Sequence, residues 1–284
     1  MGFLFNLIKS ILYGIVQGIT EWLPVSSTAH LIMMRSFLPL NVFDNTAFNQ
    51  EFWDLYKVVI QLGSILAVVV LYHKRLNPFQ KKIAKKRKNN IFRMWVMILI
   101  ACIPTGIAGI LLDDVIDNAL SSSWVISFML ITVGVLLIWM EFQDRDVKVT
   151  SIGRIAPIHA LLVGFWQILA LIPGTSRSGA TIFGETMMGF NRVTAVEFSF
   201  FLAIPVMFGA SLLKIVKYMI GGAAMSMTAV CILLAGMAAA FFVSMVFIRF
   251  MMNYIRQHDF TLFGFYRIIL GVLMLIFTLF GVLA

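Results

Sequence analysis

The chain has 284 residues, of which 61% are hydrophobic and only 12% are charged. A soluble domain carries about a quarter charged residues, so this composition excludes a soluble globular fold and indicates that lipid surrounds most of the chain. The formal net charge is +9, which on its own would be compatible with nucleic-acid binding.

The predicted elements begin with an apolar segment that is interrupted near its middle, and a second interrupted segment opens the other half of the chain. Pro24 breaks the first and Pro173-Gly174 the second. Because proline ends a helix, each is expected to form two short helices joined by a polar turn, a re-entrant pair that enters and leaves the membrane on one side. In chain order the apolar segments are the broken segment 3–38, spans 53–73, 94–112 and 124–141, the broken segment 157–190, and spans 197–219, 226–250 and 261–283.

A basic stretch lies between the first two spans. Nine basic residues and no acidic residue occur from Lys74 to Arg93. A short basic loop between apolar segments is typical of a cytoplasmic connection, which explains the positive charge without a nucleic-acid partner.

The two halves of the chain resemble each other. Gly14-Ile15-Val16-Gln17 matches Gly164-Phe165-Trp166-Gln167, and Pro24-Val25-Ser26-Ser27 matches Pro173-Gly174-Thr175-Ser176 after a gap of one residue. We therefore predict an all-α integral membrane protein of two repeats, 1–150 and 151–284, each with one re-entrant pair and three spans. An odd number of spans makes the repeats inverted, so the two polar turns are expected to meet near the bilayer midplane.

The first turn carries a carboxylate inside an apolar segment. Gln17 and Glu21 are four residues apart and project from one helix face. An acidic residue at this depth is costly, which makes it a functional-site hypothesis. Ser26, Ser27 and Thr28 follow Pro24 and supply hydroxyls where the next short helix starts. Glu21 either holds a divalent cation or acts as a general base.

The second turn has the same construction with a cation added. A proline and a glycine precede a hydroxyl cluster that contains Arg177, whose planar guanidinium suits bidentate binding of phosphate. Two helix N-termini, several hydroxyls and one guanidinium that converge from opposite sides predict a phosphate site.

At these motifs the sequence resembles the undecaprenyl-diphosphatase family, the bacitracin-resistance membrane phosphatases. That family carries a Glu/Gln-x-x-x-Glu pair, then Pro-Val-Ser-Ser-Thr-x-His, and later Pro-Gly-x-Ser-Arg-Ser-Gly-Ala-Thr. Here these stand as Gln17 with Glu21, Pro24–His30 and Pro173–Thr181. Gln17 departs from the glutamate that many members carry, which removes one strong metal ligand or base.

The resemblance implies hydrolysis of undecaprenyl pyrophosphate to the monophosphate, with bacitracin resistance as a consequence. It further implies dependence on Mg²⁺ or Ca²⁺, with Glu21 as the metal ligand, and a site open to the outer face of the bacterial cytoplasmic membrane. The partners expected are the polyprenyl pyrophosphate and membrane lipid. The expected catalytic residues are Glu21, Ser27, His30 and Arg177, and the expected substrate-binding residues are Gln17, Ser26, Thr28, Thr175, Ser176, Ser178, Gly179 and Thr181.

Three questions stay open at this stage. The nucleophile is Ser27, His30 or a metal-bound water. The chain is a monomer or a homodimer. A polyprenyl-phosphate transporter is the alternative function, because inverted repeats with broken helices at the midplane are also the architecture of secondary transporters.

Overall fold

The structure is a computed structural model that describes residues 2–81, 83–221 and 225–283, with 113–115 and 117–119 described by their backbone alone. Within these ranges it consists of α-helices and short 3₁₀ turns, and β-type pairing is limited to an isolated bridge between Val149 and Phe190. The helices are α1 Gly2–Thr20, α2 Ser27–Phe37, α3 Thr46–Val59, α4 Gln61–Leu71, α5 His73–Leu76, α6 Lys85–Ala119, α7 Ser123–Glu141, α8 Pro157–Ile168, α9 Arg177–Met187, α10 Arg192–Ile220, α11 Met227–Tyr254 and α12 Thr261–Leu279.

Seven helical stretches in the described ranges are long and apolar enough to cross a membrane. Six of them correspond to the six predicted spans, which confirms the prediction of an all-α integral membrane protein. The seventh is α1, whose 19 residues make it about 28 Å long at 1.5 Å per residue. The sequence predicted that this part of the chain forms one of two short helices, and α1 is longer than that prediction.

The helix breaks lie where proline was expected to place them. Helix α1 ends before Pro24 and α2 starts after it, while α8 and a 3₁₀ turn at Leu169–Leu171 end before Pro173. A further break at Ile60, which the sequence did not predict, separates α3 from α4. There the N–H of Gly63 donates to the Ile60 carbonyl at 3.2 Å, a tighter i→i−3 bond.

Ser26 and Ser176 show how the two broken segments correspond. Each is the N-cap of its helix, each has φ of 70°, and each accepts a backbone N–H at its hydroxyl. They are the non-glycine residues with positive φ in the described ranges. The sequence comparison paired Ser27 with Ser176 after a gap, and this pairing is wrong. Ser26 follows Gln17 at the spacing at which Ser176 follows Gln167, so no gap is needed and Ser27 corresponds to Arg177.

Small residues allow the helices to approach closely. Helix α1 packs on α11, and a Cβ at Gly18 would lie 2.8 Å from the carbonyl oxygen of Ala240. Helix α7 packs on α12 in the same way, with Gly134 against the carbonyl of Gly264. Such contacts are the usual means of helix association in lipid, where apolar surface alone gives no driving force.

The helix contacts follow the proposed correspondence of the halves. Helix α1 packs on α11, and α8, its counterpart, packs on α6, the counterpart of α11. The inverted relation itself and the boundaries 1–150 and 151–284 stay predictions.

The basic stretch lies beside the start of the second half. Arg93 donates to the carbonyl oxygens of Gly153 at 2.8 Å and Ile155 at 3.1 Å. The end of the molecule that carries the basic loop is therefore also the end from which α8 starts.

Candidate active site

The two polar turns lie against each other, as the sequence predicted. The Ser178 hydroxyl, just inside α9, donates to the carbonyl oxygen of Leu23 in the first turn at 3.3 Å. Residues about 155 positions apart in the chain are thus in direct contact.

A buried arginine from α12 joins the same two turns. Arg267 is fully buried. Its guanidinium donates to the carbonyl of Pro24 at 3.1 Å, and to those of Gly174 at 2.7 Å and Thr175 at 3.0 Å. It also reaches the carbonyl of Leu130 on α7 at 3.4 Å. A planar group with five N–H donors is suited to hold several backbone segments at once.

Glu21 is the centre of the site's hydrogen-bond network. It is 5% exposed, and its Oε2 accepts from Gln17 Nε2 and from the Ser27 hydroxyl, both at 2.8 Å. Because a carboxylate oxygen accepts hydrogen bonds, the Ser27 O–H points at Glu21. A hydroxyl that donates to a buried carboxylate is the arrangement of a nucleophile beside its base.

Arg177 reaches Glu21 from the second turn. Its Nη2 lies 3.5 Å from Glu21 Oε1, and its side chain is 9% exposed. Its Nη1 donates to the Ser199 carbonyl at 2.7 Å, and the Ser199 hydroxyl in turn lies 2.7 Å from Thr181 Oγ1. Ser27 and Arg177, the first residues of α2 and α9, therefore contact the two different oxygens of the same carboxylate.

A cavity of about 150 Å³ lies between the turns. The positive ends of α2 and α9 start at its wall, and such helix starts favour an anion. Apolar side chains of α10, Val206 and Met207, form part of the lining. Its polar and charged lining residues are Glu21, Ser26, Ser27, Thr28, Gln61, Thr105, Gln167, Ser176 and Arg177.

The predicted site residues divide into two groups. Glu21, Ser26, Ser27, Thr28, Ser176 and Arg177 line the cavity. The others lie next to the cavity, where they bind protein groups or are buried: Gln17, Thr175, Ser178, Gly179 and Thr181. Gln17 donates to Glu21, and Thr181 forms a hydrogen bond with Ser199. The Gly179 N–H donates to the Ser176 hydroxyl at 3.1 Å, and Thr175 is 1% exposed. His30 is 8% exposed and is also outside the lining.

Sequence reasoning missed several residues of the site. Arg267 carried a usable signal, since a charged residue within an apolar span marks a function or a buried contact. Gln167 was recognised as the counterpart of Gln17 and was not assigned to the site. The other missed residues are ordinary polar or aromatic residues of apolar helices, and only the fold brings them to the turns: Gln61, Thr105, Ser199 and Tyr266.

The sequence matches the family described as bacitracin resistance protein BacA over residues 10–273. The chain belongs to this family. Among its curated relatives, a protein of Acetivibrio thermocellus is 48% identical over 277 residues, which cover 96% of this chain and 98% of that protein. A Streptococcus thermophilus protein is 47% identical over 277 residues, 97% of this chain and 94% of that protein. One from Enterococcus faecalis is 45% identical over 278 residues, 97% of this chain and 99% of that protein.

Each of these three relatives is named undecaprenyl-diphosphatase. The match to the bacitracin resistance protein BacA family spans both polar turns, all six predicted spans in whole or in part, and Arg267. The resemblance inferred from the motifs is therefore confirmed at the level of the family.

Replacement of Arg267 by lysine tests whether both turns depend on one guanidinium. A lysine ammonium cannot reach the carbonyls of both turns, and each buried carbonyl left unpaired costs about 1–3 kcal/mol. We expect Arg267→Lys to lower the melting temperature in detergent by several degrees and to reduce hydrolysis at least about tenfold. Arg249→Lys on α11, where the side chain is exposed, is the matched control and should change neither. An Arg267→Lys protein as stable and active as the control would show that the turns are held by other contacts.

Proposed function

We propose that this chain hydrolyses undecaprenyl pyrophosphate to undecaprenyl phosphate and phosphate. The observation that carries this proposal is the hydrogen bond from the Ser27 hydroxyl to Glu21, with Arg177 at the other oxygen of the same carboxylate. It is supported by membership of the bacitracin resistance protein BacA family and by relatives named undecaprenyl-diphosphatase. Release of the carrier lipid's terminal phosphate would also account for the resistance in the family's name.

In the proposed reaction Ser27 Oγ attacks the terminal phosphorus. The hydroxyl proton passes to Glu21 as the new O–P bond forms. The bond from that phosphorus to the bridging oxygen breaks, and the bridging oxygen leaves with undecaprenyl phosphate. Water then attacks the phosphorus of the phosphoserine, and the bond from that phosphorus to Ser27 Oγ breaks. Glu21 returns its proton to Oγ, and phosphate leaves with both hydrogens of the water.

The second half of the chain supplies the positive charge. Arg177 is buried and fixed by the Ser199 carbonyl, and its Nε has no hydrogen-bond partner within the described part of the chain. Arg177 lines the cavity, so its charge lies beside the position proposed for the phosphoryl group. The guanidinium is thus already in position to stabilise the negative charge that develops on the phosphoryl group. Such electrostatic stabilisation by preorganised groups is usually the largest single contribution to catalysis.

The residues present fit a divalent cation that is shared with the substrate. Glu21 is the carboxylate that lines the cavity, and the described residues contain no group of three or more His, Cys, Asp or Glu side chains that could hold a metal. The amide oxygens of Gln17 and Gln167 are buried and lack partners in that part of the chain. Mg²⁺ and Ca²⁺ prefer such oxygen ligands, and Mg²⁺ is often bound by one carboxylate together with substrate phosphates. A bound cation would supply charge neutralisation on the pyrophosphate.

We further propose that the protein lies in the bacterial cytoplasmic membrane with its cavity open to the outer face. The basic loop beside the start of α8 supports a cytoplasmic position for that end of the molecule. Sealed right-side-out vesicles should then hydrolyse externally added substrate, and inverted vesicles should not. Equal rates in both would contradict this orientation.

Detergent-purified protein separates the phosphatase from the alternative transporter. A transporter binds and releases its lipid unchanged, so it needs neither a nucleophile nor a base. We expect phosphate release from pyrophosphoryl lipid in detergent, where no gradient exists. Ser27→Ala should lower the rate by about a thousandfold, and Arg177→Lys by about a hundredfold if the bidentate contact contributes ~3 kcal/mol in the transition state.

Glu51→Gln provides the control for these variants, because Glu51 is exposed on α3 and does not line the cavity.

Phosphate from substrate labelled at its terminal phosphorus should be recovered on Ser27 in acid-stable form. Undiminished release by Ser27→Ala would assign the attack to another group.

Removal of divalent cations tests the shared metal. We expect a chelator to abolish hydrolysis and added Mg²⁺ or Ca²⁺ to restore it. In Glu21→Asp, which keeps the charge and shortens the side chain, the cation concentration for half-maximal rate should rise at least about tenfold, because one of few protein ligands is displaced. Full activity in excess chelator would contradict a metal requirement.

A further inference from the structure

His30 is held at both nitrogens of its ring. Nδ1 lies 2.7 Å from the carbonyl oxygen of Ser26, and Nε2 lies 2.7 Å from the hydroxyl of Tyr266 on α12. A carbonyl oxygen can only accept, so Nδ1 carries the proton. The neutral ring then accepts the Tyr266 hydroxyl hydrogen at Nε2. The two rings are nearly parallel, with an interplanar angle of 7° and centroids 5.7 Å apart.

The residue that His30 holds is the one that sets the direction of Ser27. Ser26 has φ of 70°, a conformation that non-glycine residues rarely adopt. Its carbonyl accepts the backbone N–H of His30 at 3.4 Å as well as the ring N–H. The next residue, Ser27, places its hydroxyl 2.8 Å from Glu21. A shift of the Ser26 peptide would therefore move the proposed nucleophile relative to its base.

The second half of the chain provides an internal comparison. Ser176 has the same φ and caps α9, and the residue four positions later is Ala180, whose backbone N–H donates to the Ser176 carbonyl at 3.0 Å. The strained cap thus forms without a side chain to hold it. The imidazole is present only in the half that carries the proposed nucleophile Ser27. We therefore associate the imidazole with the reaction, since the cap forms without it in the other half.

We propose that His30 and Tyr266 are positioning residues for phosphoryl transfer. The Tyr266 hydroxyl orients the imidazole, and the imidazole N–H fixes the Ser26 carbonyl so that Ser27 stays in contact with Glu21. His30 acts in this way through Ser26, since its ring nitrogens are engaged by protein groups and it does not line the cavity. The reaction steps rest on the proposed function, whereas the state of the ring can be measured independently of activity.

Nitrogen NMR of protein labelled at histidine tests the state of the ring directly. The chain has four histidines, and the His30 signals are assigned by their loss in His30→Asn. We expect the tautomer with the proton on Nδ1, which is the less common one for a free imidazole. We also expect Tyr266→Phe to shift the Nε2 signal and leave the proton on Nδ1. A proton on Nε2, or a signal unaffected by Tyr266→Phe, would overturn the proposal even if hydrolysis proceeds as proposed.

Kinetics of paired variants separate positioning from chemistry at the ring. Asparagine can place an amide N–H near the position of Nδ1, so His30→Asn should keep activity within about tenfold, whereas His30→Ala should lose about a hundredfold through misplacement of Ser27. Tyr266→Phe should lower kcat about five- to tenfold, as expected for loss of one hydrogen bond, with KM unchanged. Equal, near-complete loss in His30→Asn and His30→Ala would assign His30 a direct chemical role and refute the proposal.

The chain contains a matched control pair. Tyr254 and His258 also stack, with centroids 4.5 Å apart and an interplanar angle of 13°, and His258 is exposed. Tyr254→Phe and His258→Asn should leave kcat and KM unchanged. If these variants lowered kcat as much as Tyr266→Phe does, the effect would be a general one of Tyr–His pairs on the fold, and the specific role of Tyr266 would be refuted.

Discussion

The ion pair between Glu21 and Arg177 is the constraint on which the rest of the structure depends. A carboxylate and a guanidinium within lipid are each costly, and each is acceptable when the other compensates its charge. Glu21 belongs to the first broken segment and Arg177 to the second, so their pairing requires the two polar turns to meet. The buried Arg267 adds a second cross-connection through the backbone carbonyls of Pro24, Gly174 and Thr175. Two arginines with different partners, one a carboxylate and the other a set of carbonyls, therefore hold one cavity.

The sequence predicted those features that follow from local chemistry. Proline marked both helix breaks, apolar length marked six spans, and polar residues in an apolar context marked Glu21 and Arg177. Other features depend on tertiary contact. His30 and Tyr266 are 236 positions apart, and nothing in the pattern of α12 indicates that its tyrosine meets a histidine. The pairing of Ser27 with Ser176 failed for a related reason, because the prolines were aligned while the cap geometry follows the serines. The fold shows that position 26 turns the chain and that position 27 faces the cavity.

The corrected correspondence shows how the two halves differ in function. Counting from Gln17 and Gln167, Glu21 stands opposite Leu171, Ser27 opposite Arg177, and His30 opposite Ala180. The first half thus carries the proposed base, the proposed nucleophile and the proposed positioning histidine, whereas the second half carries the cationic Arg177. A symmetric pair of turns would place two carboxylates, or two arginines, around one small cavity and leave the charge unbalanced. The two halves therefore differ at three equivalent positions, and these are the positions that the proposed phosphoryl transfer uses.

The same comparison bears on which end of the molecule is closed. Glu51-Phe52 and Tyr72 recur at one constant offset as Glu197-Phe198 and Tyr218, so Glu197 on α10 corresponds to Glu51 on α3. Both terminal nitrogens of Arg75 donate to Glu197 at the end that carries the basic loop. The position that corresponds to Arg75 in the second half is Gly221, which has no side chain to make such a bridge. A bidentate contact thus fastens α10 to the first half at one end, and the matching residue at the other end cannot do so. A basic loop is typical of a cytoplasmic connection, so this asymmetry agrees with the proposed opening of the cavity towards the outer face.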